Sequence, residues 1–248
     1  MTPTVEDICI KEILTTSINS TIETAIKKMA GYDNANYLVH TATSSYVFKT
    51  YTYTQALFDI VKEESRVLAA LNEHQCTAYP TPIAFSDKPL VKVLTIDGEK
   101  YIVRMLSFLS GSFVGEVTPS EDLYVDLGVF LANLDLQLQH QRSVVFQARQ
   151  WEWDLEQLLL NTKYIAEIPD AHDRAIVSYF MMQYQTHVLP VLPELRKQLI
   201  HNDANEQNLL CNDNKITGII DFGDSVYSHT INELAVAIAY ATMYKPNP

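Results

Sequence analysis

Glycine is scarce in this chain, and its placement excludes several common nucleotide sites. Seven glycines occur in 248 residues, at 31, 98, 111, 115, 128, 218 and 223. No two are separated by a single residue, so the GxG fingerprint of a dinucleotide site is missing. None precedes a lysine, so there is no Walker A loop. GxSxG and HExxH are also absent, which removes the serine-hydrolase and zincin readings. Cysteine is rarer still. Cys9, Cys76 and Cys211 are far apart, odd in number and form no CxxC pair, the usage of reduced thiols in an intracellular protein. Hydrophobic runs never approach the ~18–20 residues of a membrane span. The N-terminal MTPTVEDICIKE lacks the basic and apolar regions of a signal peptide. The expected location is therefore cytoplasmic. Basic residues are outnumbered, 18 Lys and Arg against 30 Asp and Glu, for a formal net charge of −12. That charge disfavours nucleic acid and anionic membrane as partners and suits a cationic ligand.

A chain of this length buries roughly 70–75% of its unfolded surface and needs no covalent staple. Residues 1–30 read as helical in two short pieces, with Ser20 and Glu23 at capping-box spacing. Two β-rich runs follow, Asn36–His40 and Ser45–Tyr51, joined by the polar turn TATSS. From Thr54 to about His74, Leu57, Ile60, Val61, Glu64, Val67, Leu68 and Leu71 recur at helical spacing. YPTPIAF runs extended between its prolines. Strands are expected near Leu90–Thr95 and Lys100–Leu106, with Asp97-Gly98 as their turn. After Gly111 the character changes. Helices are expected near 119–140, 172–188 and 230–244, with short strands only near 208–211 and 216–220. A strand-rich half followed by a helix-rich half argues for α+β in two lobes with a cleft between them.

The chemistry is concentrated in LIHNDANEQNLLCNDNKITGIIDFGDS, near the C-terminal end. Its core is His201-x-Asp203-x4-Asn208, then Asp221-Phe222-Gly223. Phosphoryl transfer from a nucleotide needs one carboxylate to orient or accept the proton of the attacking hydroxyl. It also needs an amide oxygen and a second carboxylate to hold Mg2+ between phosphates. Asp203 and Asn208 lie at opposite ends of a short loop anchored by Leu209 and Leu210. Asp221 leaves an apolar strand, and Gly223 permits a sharp turn behind it. The pair HxDx4N plus DFG is the catalytic-loop and metal-loop signature of protein kinases. A calcium loop is excluded, because the D-x-N start lacks Gly at the sixth position and Glu at the twelfth. Upstream, Lys49 sits on a strand in SSYVFKTY, and the following helix carries Glu63 and Glu64. Glu64 shares a face with Val61, Leu68 and Leu71 and points inward, while Glu63 faces solvent.

On GYDNANYLV, YVFK, EESRVLAAL, YPTP, YIVRMLSFLSG, WEWDLEQL, IHNDANEQNLL and GIIDFGDSVY, nearly the whole chain resembles the aminoglycoside phosphotransferase and choline kinase-like family. Within that family the likeness is to the hydroxylysine kinase-like branch. The resemblance implies a two-lobed protein-kinase-like fold. Residues 1–106 would form a nucleotide-binding lobe of antiparallel sheet plus helix, 107–111 a hinge, and 112–248 a mostly helical catalytic lobe. It further implies Asp203 as catalytic base, Asn208 and Asp221 as Mg2+ ligands, Lys49 on the nucleotide phosphates with Glu64 positioning it, and backbone contacts to the base from Ser107 to Leu109. His201 would brace the loop, and Glu233 would serve as a helix cap or dipole partner.

Three departures stand out. Asn202 replaces the family's usual glycine, the phosphate loop Gly31–Asn36 has one glycine, and members usually continue past YATMYKPNP with helices that shape the substrate pocket. A truncated catalytic lobe is therefore the expectation, and related kinase domains also occur fused to PLP-dependent aminotransferases. The expected activity is Mg2+-dependent transfer of the γ-phosphate of ATP or GTP to a hydroxyl of a small amine-bearing metabolite, a hydroxylysine-like amino alcohol or an aminoglycoside. The alternative is a non-catalytic kinase-like module that binds nucleotide or a partner.

Overall fold

The computed structural model describes residues 27–29, 34–73 and 77–243. The expected Ser20–Glu23 cap, Cys9, Cys76 and Gly31 of the phosphate loop lie outside these. Two compact units result. One lies within residues 1–111 and includes Gly218–Ile220; the other comprises Ser112–Thr217 and residues from Asp221 onward.

The first unit is built on an antiparallel sheet in the order β1-β2-β3-β6-β4, with β5 also paired to β6. Its strands are β1 (Lys27–Met29), β2 (Ala35–His40), β3 (Ser45–Thr52), β4 (Pro82–Ile83), β5 (Val91–Ile96) and β6 (Glu99–Ser107). Helix was expected through residue 30, yet Lys27–Met29 pairs with Asn36–Leu38 as an edge strand. Tertiary pairing overrides a weak local preference there. Asp97 and Gly98, at φ 52° and 85°, make the β5–β6 hairpin turn, in which both central residues need positive φ. Side chains alternate across the sheet. Tyr37, Val39, Phe48, Val103 and Met105 fill one face. Tyr51, Val91 and Ile102 on the other meet Val61 and Leu57 of helix α1 (Gln55–Leu71). The Thr54 side chain caps α1 by accepting from Leu57 N.

The second unit contains helices α2 (Glu121–Leu138), α3 (Val144–Ala148), α4 (Ala171–Gln183) and α5 (Thr230–Thr242). Ser120, Ser143 and Asp170 each cap their helix with a side-chain oxygen. Leu123, Leu127, Leu131, Leu134 and Leu138 form the buried stripe of α2. Strand β7 (Ser112–Phe113) pairs with β9 (Leu209–Asn212), and β9 with β10 (Lys215–Ile219), which carries on into the first unit at Gly218. The β9–β10 hairpin turns at Asp213 and Asn214, both at positive φ. Two strands not anticipated from sequence, β8 (Lys197–Ile200) and β11 (Val226–His229), pair antiparallel with Ile200 opposite Val226. This register places the site: the chain leaving β8 at His201 and the chain entering β11 from Ser225 emerge at the same end of one ladder. No described helix is long and apolar enough to cross a membrane.

Candidate active site

The loop after β8 is held from below by Glu233, on the first turn of α5. Its Oε2 accepts from His201 N at 2.6 Å and from Asn202 N at 3.0 Å. Glu233 thus holds the loop after β8 through its side chain, while its place in the first turn of α5 suits the dipole role expected of it. Its Oε1 is buried without a partner. Burial foremost, with Asp135 and Asp203 adding to it, pushes this carboxyl up to about 7 against the pull of the two amides. His201 is fully buried; its Nδ1 accepts from Asp203 N at 3.2 Å, and its ring stands edge-on to Phe222 with centroids 4.6 Å apart. It braces the loop, as expected. Asn202 sits at φ 70°, the left-handed region that Asn tolerates better than most residues, and so occupies the place of the family's usual glycine.

Asp203 is part of a tight amide–carboxylate cluster. Asn205 Nδ2 donates to its Oδ1 at 2.8 Å, and Asn208 Nδ2 donates to its Oδ2 at 2.6 Å. Asn208 Nδ2 also reaches Asp203 O at 3.0 Å. Asn205 Oδ1 in turn accepts from the backbone amides of Gln207 and Asn208, an Asx-type turn that closes the loop. Burial raises the Asp203 carboxyl above the usual carboxylate range; Asn205 and Asn208 pull it back, and Asp221 and Glu206 push it further up. A carboxylate of raised basicity is a better proton acceptor near neutral pH.

Asp221 is exposed and takes φ 61° at the start of the turn Phe222–Asp224. Asp224 is pushed up to about 6, by burial first and then by Asp203, with Arg149 opposing. Tyr240 of α5 lies in the field of the same carboxylates: burial, then Asp203, Glu206 and Asp224, raise its hydroxyl. The second unit therefore gathers Asp203, Asn208 and Asp221 with three groups the sequence did not single out for the chemistry: Tyr240, Arg149 and the loop-capping Glu233. None has a motif signal, because each acts from a distant segment.

The donor set of Asn208 and Asp221 fits a hard divalent cation. Both offer oxygen, and Asn208 spends its amide N–H groups on Asp203, so its Oδ1 faces away from that partner. Among the described residues no three His, Cys, Asp or Glu side chains converge to hold an ion.

In the first unit, Lys49 lies on β3 directly opposite Asn36 of β2 and Arg104 of β6, so the three side chains share one sheet face. Lys49 is 6% exposed, Glu64 2% and Arg104 1%; the lysine is no solvated strand edge. Glu64 Oε1 accepts from Arg104 Nη2 at 2.8 Å, and Tyr51 Oη accepts from the same Nη2 and from Nε. Burial works against the Arg104 charge, but Glu64 and Tyr51 outweigh it and hold the guanidinium firmly protonated. Sequence reasoning gave Glu64 to Lys49 alone and missed Arg104, since a cation inside an apolar strand has no local signature. Glu63 bonds Arg66 one turn on, away from the core. Ser107 N donates to Thr81 O and Ser107 Oγ accepts from Thr81 N, both at 2.8 Å. The Ser107 amide is thus committed within the protein, while the Leu109 amide makes no hydrogen bond among the described residues.

The chain is similar to several known proteins. A zebrafish (Danio rerio) hydroxylysine kinase is 33% identical over 156 residues, which is 60% of this chain and 44% of the relative. The mouse (Mus musculus) hydroxylysine kinase is 26% identical over 250 residues, 90% of this chain and 66% of the relative. The chain thus spans between two-fifths and two-thirds of the length of these relatives. An amicoumacin kinase solved in complex with AMP-PNP and Ca2+ superposes with a TM-score of 0.73 at 16% identity, covering 99% of this chain and 72% of that one. That likeness establishes the α+β, protein-kinase-like fold. The model of the phosphotransferase enzyme family, APH, matches residues 26–247, and with a match of that extent the chain belongs to this family.

Proposed function

We propose that this chain is a small-molecule kinase that transfers the γ-phosphate of ATP or GTP, with Mg2+, to a hydroxyl of an amine-bearing metabolite of the hydroxylysine type. The observation that carries the reading is the Asp203–Asn208 pair at 2.6 Å, set within the field of the Asp221 carboxylate. Asp203 receives the proton of the acceptor hydroxyl as that oxygen attacks phosphorus, and holds it at a carboxylate oxygen. Asn208 Oδ1 and Asp221 are the protein ligands for Mg2+, which when bound neutralises phosphate charge. Lys49 contacts the nucleotide phosphates, and Glu64 positions it. Of the segment Ser107–Leu109, Leu109 is the residue whose amide meets the base. Asp224 and Glu206 supply negative potential for the acceptor's ammonium group, in keeping with the net charge of −12. A non-catalytic binding module would have no use for the hydrogen-bonded Asp203. The buried Cys211 thiol agrees with a cytoplasmic location.

Mg-ATP or Mg-GTP at about one hundred times its dissociation constant is expected to stabilise the fold by roughly 2.7 kcal/mol. Phosphate transfer across a panel of amino alcohols, run with each nucleotide, identifies donor and acceptor. No rise in melting temperature with either nucleotide at millimolar concentration overturns the reading.

Lys49→Met keeps most of the buried volume and removes the charge. Turnover is expected to fall by at least about tenfold while the melting temperature without ligand stays within a few degrees, since surface and volume are conserved. A large loss of ligand-free stability would make Lys49 a structural residue instead.

A further inference from the structure

The turn after Asp221 holds a residue in an uncommon backbone state. Asp221 sits at φ 61°, a left-handed conformation that few non-glycine residues adopt and that surrounding contacts help to hold. The chain's own bonding is modest here: Ser225 N donates to Phe222 O at 3.2 Å, and Phe222 is buried against the His201 ring. Two distant side chains add to it. Arg149 Nη1 donates to Gly223 O at 2.8 Å and to Ser225 O at 2.7 Å. Asn202 Nδ2 reaches Asp224 O at 3.3 Å and Trp153 O at 3.3 Å. Three consecutive carbonyls, those of Gly223, Asp224 and Ser225, each accept one of these bonds.

We infer that Arg149 and Asn202 are positioning residues for Asp221, forming a side-chain clamp on the Gly223, Asp224 and Ser225 carbonyls that fixes the turn from which the metal-side carboxylate projects. The clamp is anchored at its far end. The Arg149 guanidinium lies 4.2 Å over the Trp151 ring. Arg149 O accepts from Gln157 Nε2, which is itself bonded to Asp154 Oδ2. The guanidinium also brings positive charge to a turn crowded with carboxylates, where it acts on Asp224. An Asn at positive φ keeps the path that a glycine would allow and adds a side-chain donor that glycine lacks. Groups that orient a metal ligand in this way are typically worth about 10–100-fold in metal affinity.

The inference rests on the kinase reading, and its test separates the two. Asn202→Gly preserves the backbone conformation and deletes the donor; Arg149→Met deletes the guanidinium; Arg149→Lys keeps charge but not the two-carbonyl grip. Calorimetric titration of AMP-PNP into the 248-residue chain, over a series of Mg2+ concentrations, gives the half-saturating Mg2+. Amide hydrogen exchange of residues 222–226 without ligand reports the turn itself. Half-saturating Mg2+ is expected to rise about tenfold in Asn202→Gly and by up to about 100-fold in Arg149→Met, with Arg149→Lys between, because a supporting contact to a metal ligand is lost. Exchange at 222–226 is expected to quicken in the same order while Mg2+-free AMP-PNP affinity holds. Folded variants with unchanged half-saturating Mg2+ overturn the clamp, even if exchange quickens, because the side chains then brace the fold alone. Wild-type protein that binds no Mg-AMP-PNP overturns the kinase reading, and the clamp with it.

Discussion

Asp203→Asn is expected to lower turnover by about 10²–10⁴-fold, the usual worth of a positioned general base, while Mg2+–nucleotide affinity stays near that of the wild type. In the proposed function the Asp203 carboxylate meets the acceptor hydroxyl, and the proposed metal ligands Asn208 and Asp221 are untouched. The structure adds a second consequence. Both Asp203 oxygens accept, one from Asn205 and one from Asn208, and an amide can accept at only one end. One of these bonds must break, for a stability loss of about 1 kcal/mol. The raised basicity of Asp203 also places the acid limb of the pH–rate profile above the ordinary carboxylate range, and this limb is expected to vanish in the variant. Asp221→Asn is expected to impair Mg2+–nucleotide binding as well as turnover. Nucleotide titrations and steady-state rates for the two variants decide the matter. Equal loss of nucleotide binding in both, or near-normal turnover in Asp203→Asn, would refute this division of labour.

Glu233→Ala is expected to destabilise the protein by about 2–6 kcal/mol, because two buried amides, those of His201 and Asn202, lose their acceptor at about 1–3 kcal/mol each. That is a large share of the roughly 5–15 kcal/mol that holds a typical domain. Glu233→Gln keeps an acceptor oxygen and removes the charge, so its effect depends on pH. In the folded protein burial pushes the Glu233 carboxyl up to about 7, from an ordinary value of 4.5. A raised acid contributes its full stability below the unfolded value and loses it as pH rises through the folded one. From pH 5 to pH 8 the wild type should therefore lose about 3 kcal/mol from this group, at about 1.4 kcal/mol per unit. Asp135 of α2 and Asp203 of the loop face Glu233 and add to its repulsion. Asp135 is itself pushed up to about 6, by burial, with Arg196 opposing; it carries part of the same pH window and remains in the variant. Glu233→Gln should flatten the stability–pH curve and match or exceed the wild type at pH 8. Urea unfolding at pH 5, 6, 7 and 8 measures this, and an unchanged slope in Glu233→Gln would show that the carboxyl is not the titrating group.

Local physics determined much of this protein from its sequence. Helix α1 was legible because its apolar residues recur every three to four positions behind a Thr54 cap. The β5–β6 hairpin was legible because Asp97-Gly98 tolerates positive φ. Asp203, Asn208 and Asp221 could be proposed because HxDx4N and DFG are two short stretches with fixed internal spacing. Tertiary structure decided what depends on partners far along the chain. Lys27–Met29 is a strand because β2 offers it an edge. Strands β8 and β11 are too short to signal themselves, and only their mutual pairing, Ile200 to Val226, brings the two motifs to one end of a ladder. Glu64 found Arg104, Glu233 found the amides of His201 and Asn202, and Arg149 found the carbonyls behind Asp221. Each buried charge needs a partner, and sequence records the charge but not the distance at which the fold supplies the other half.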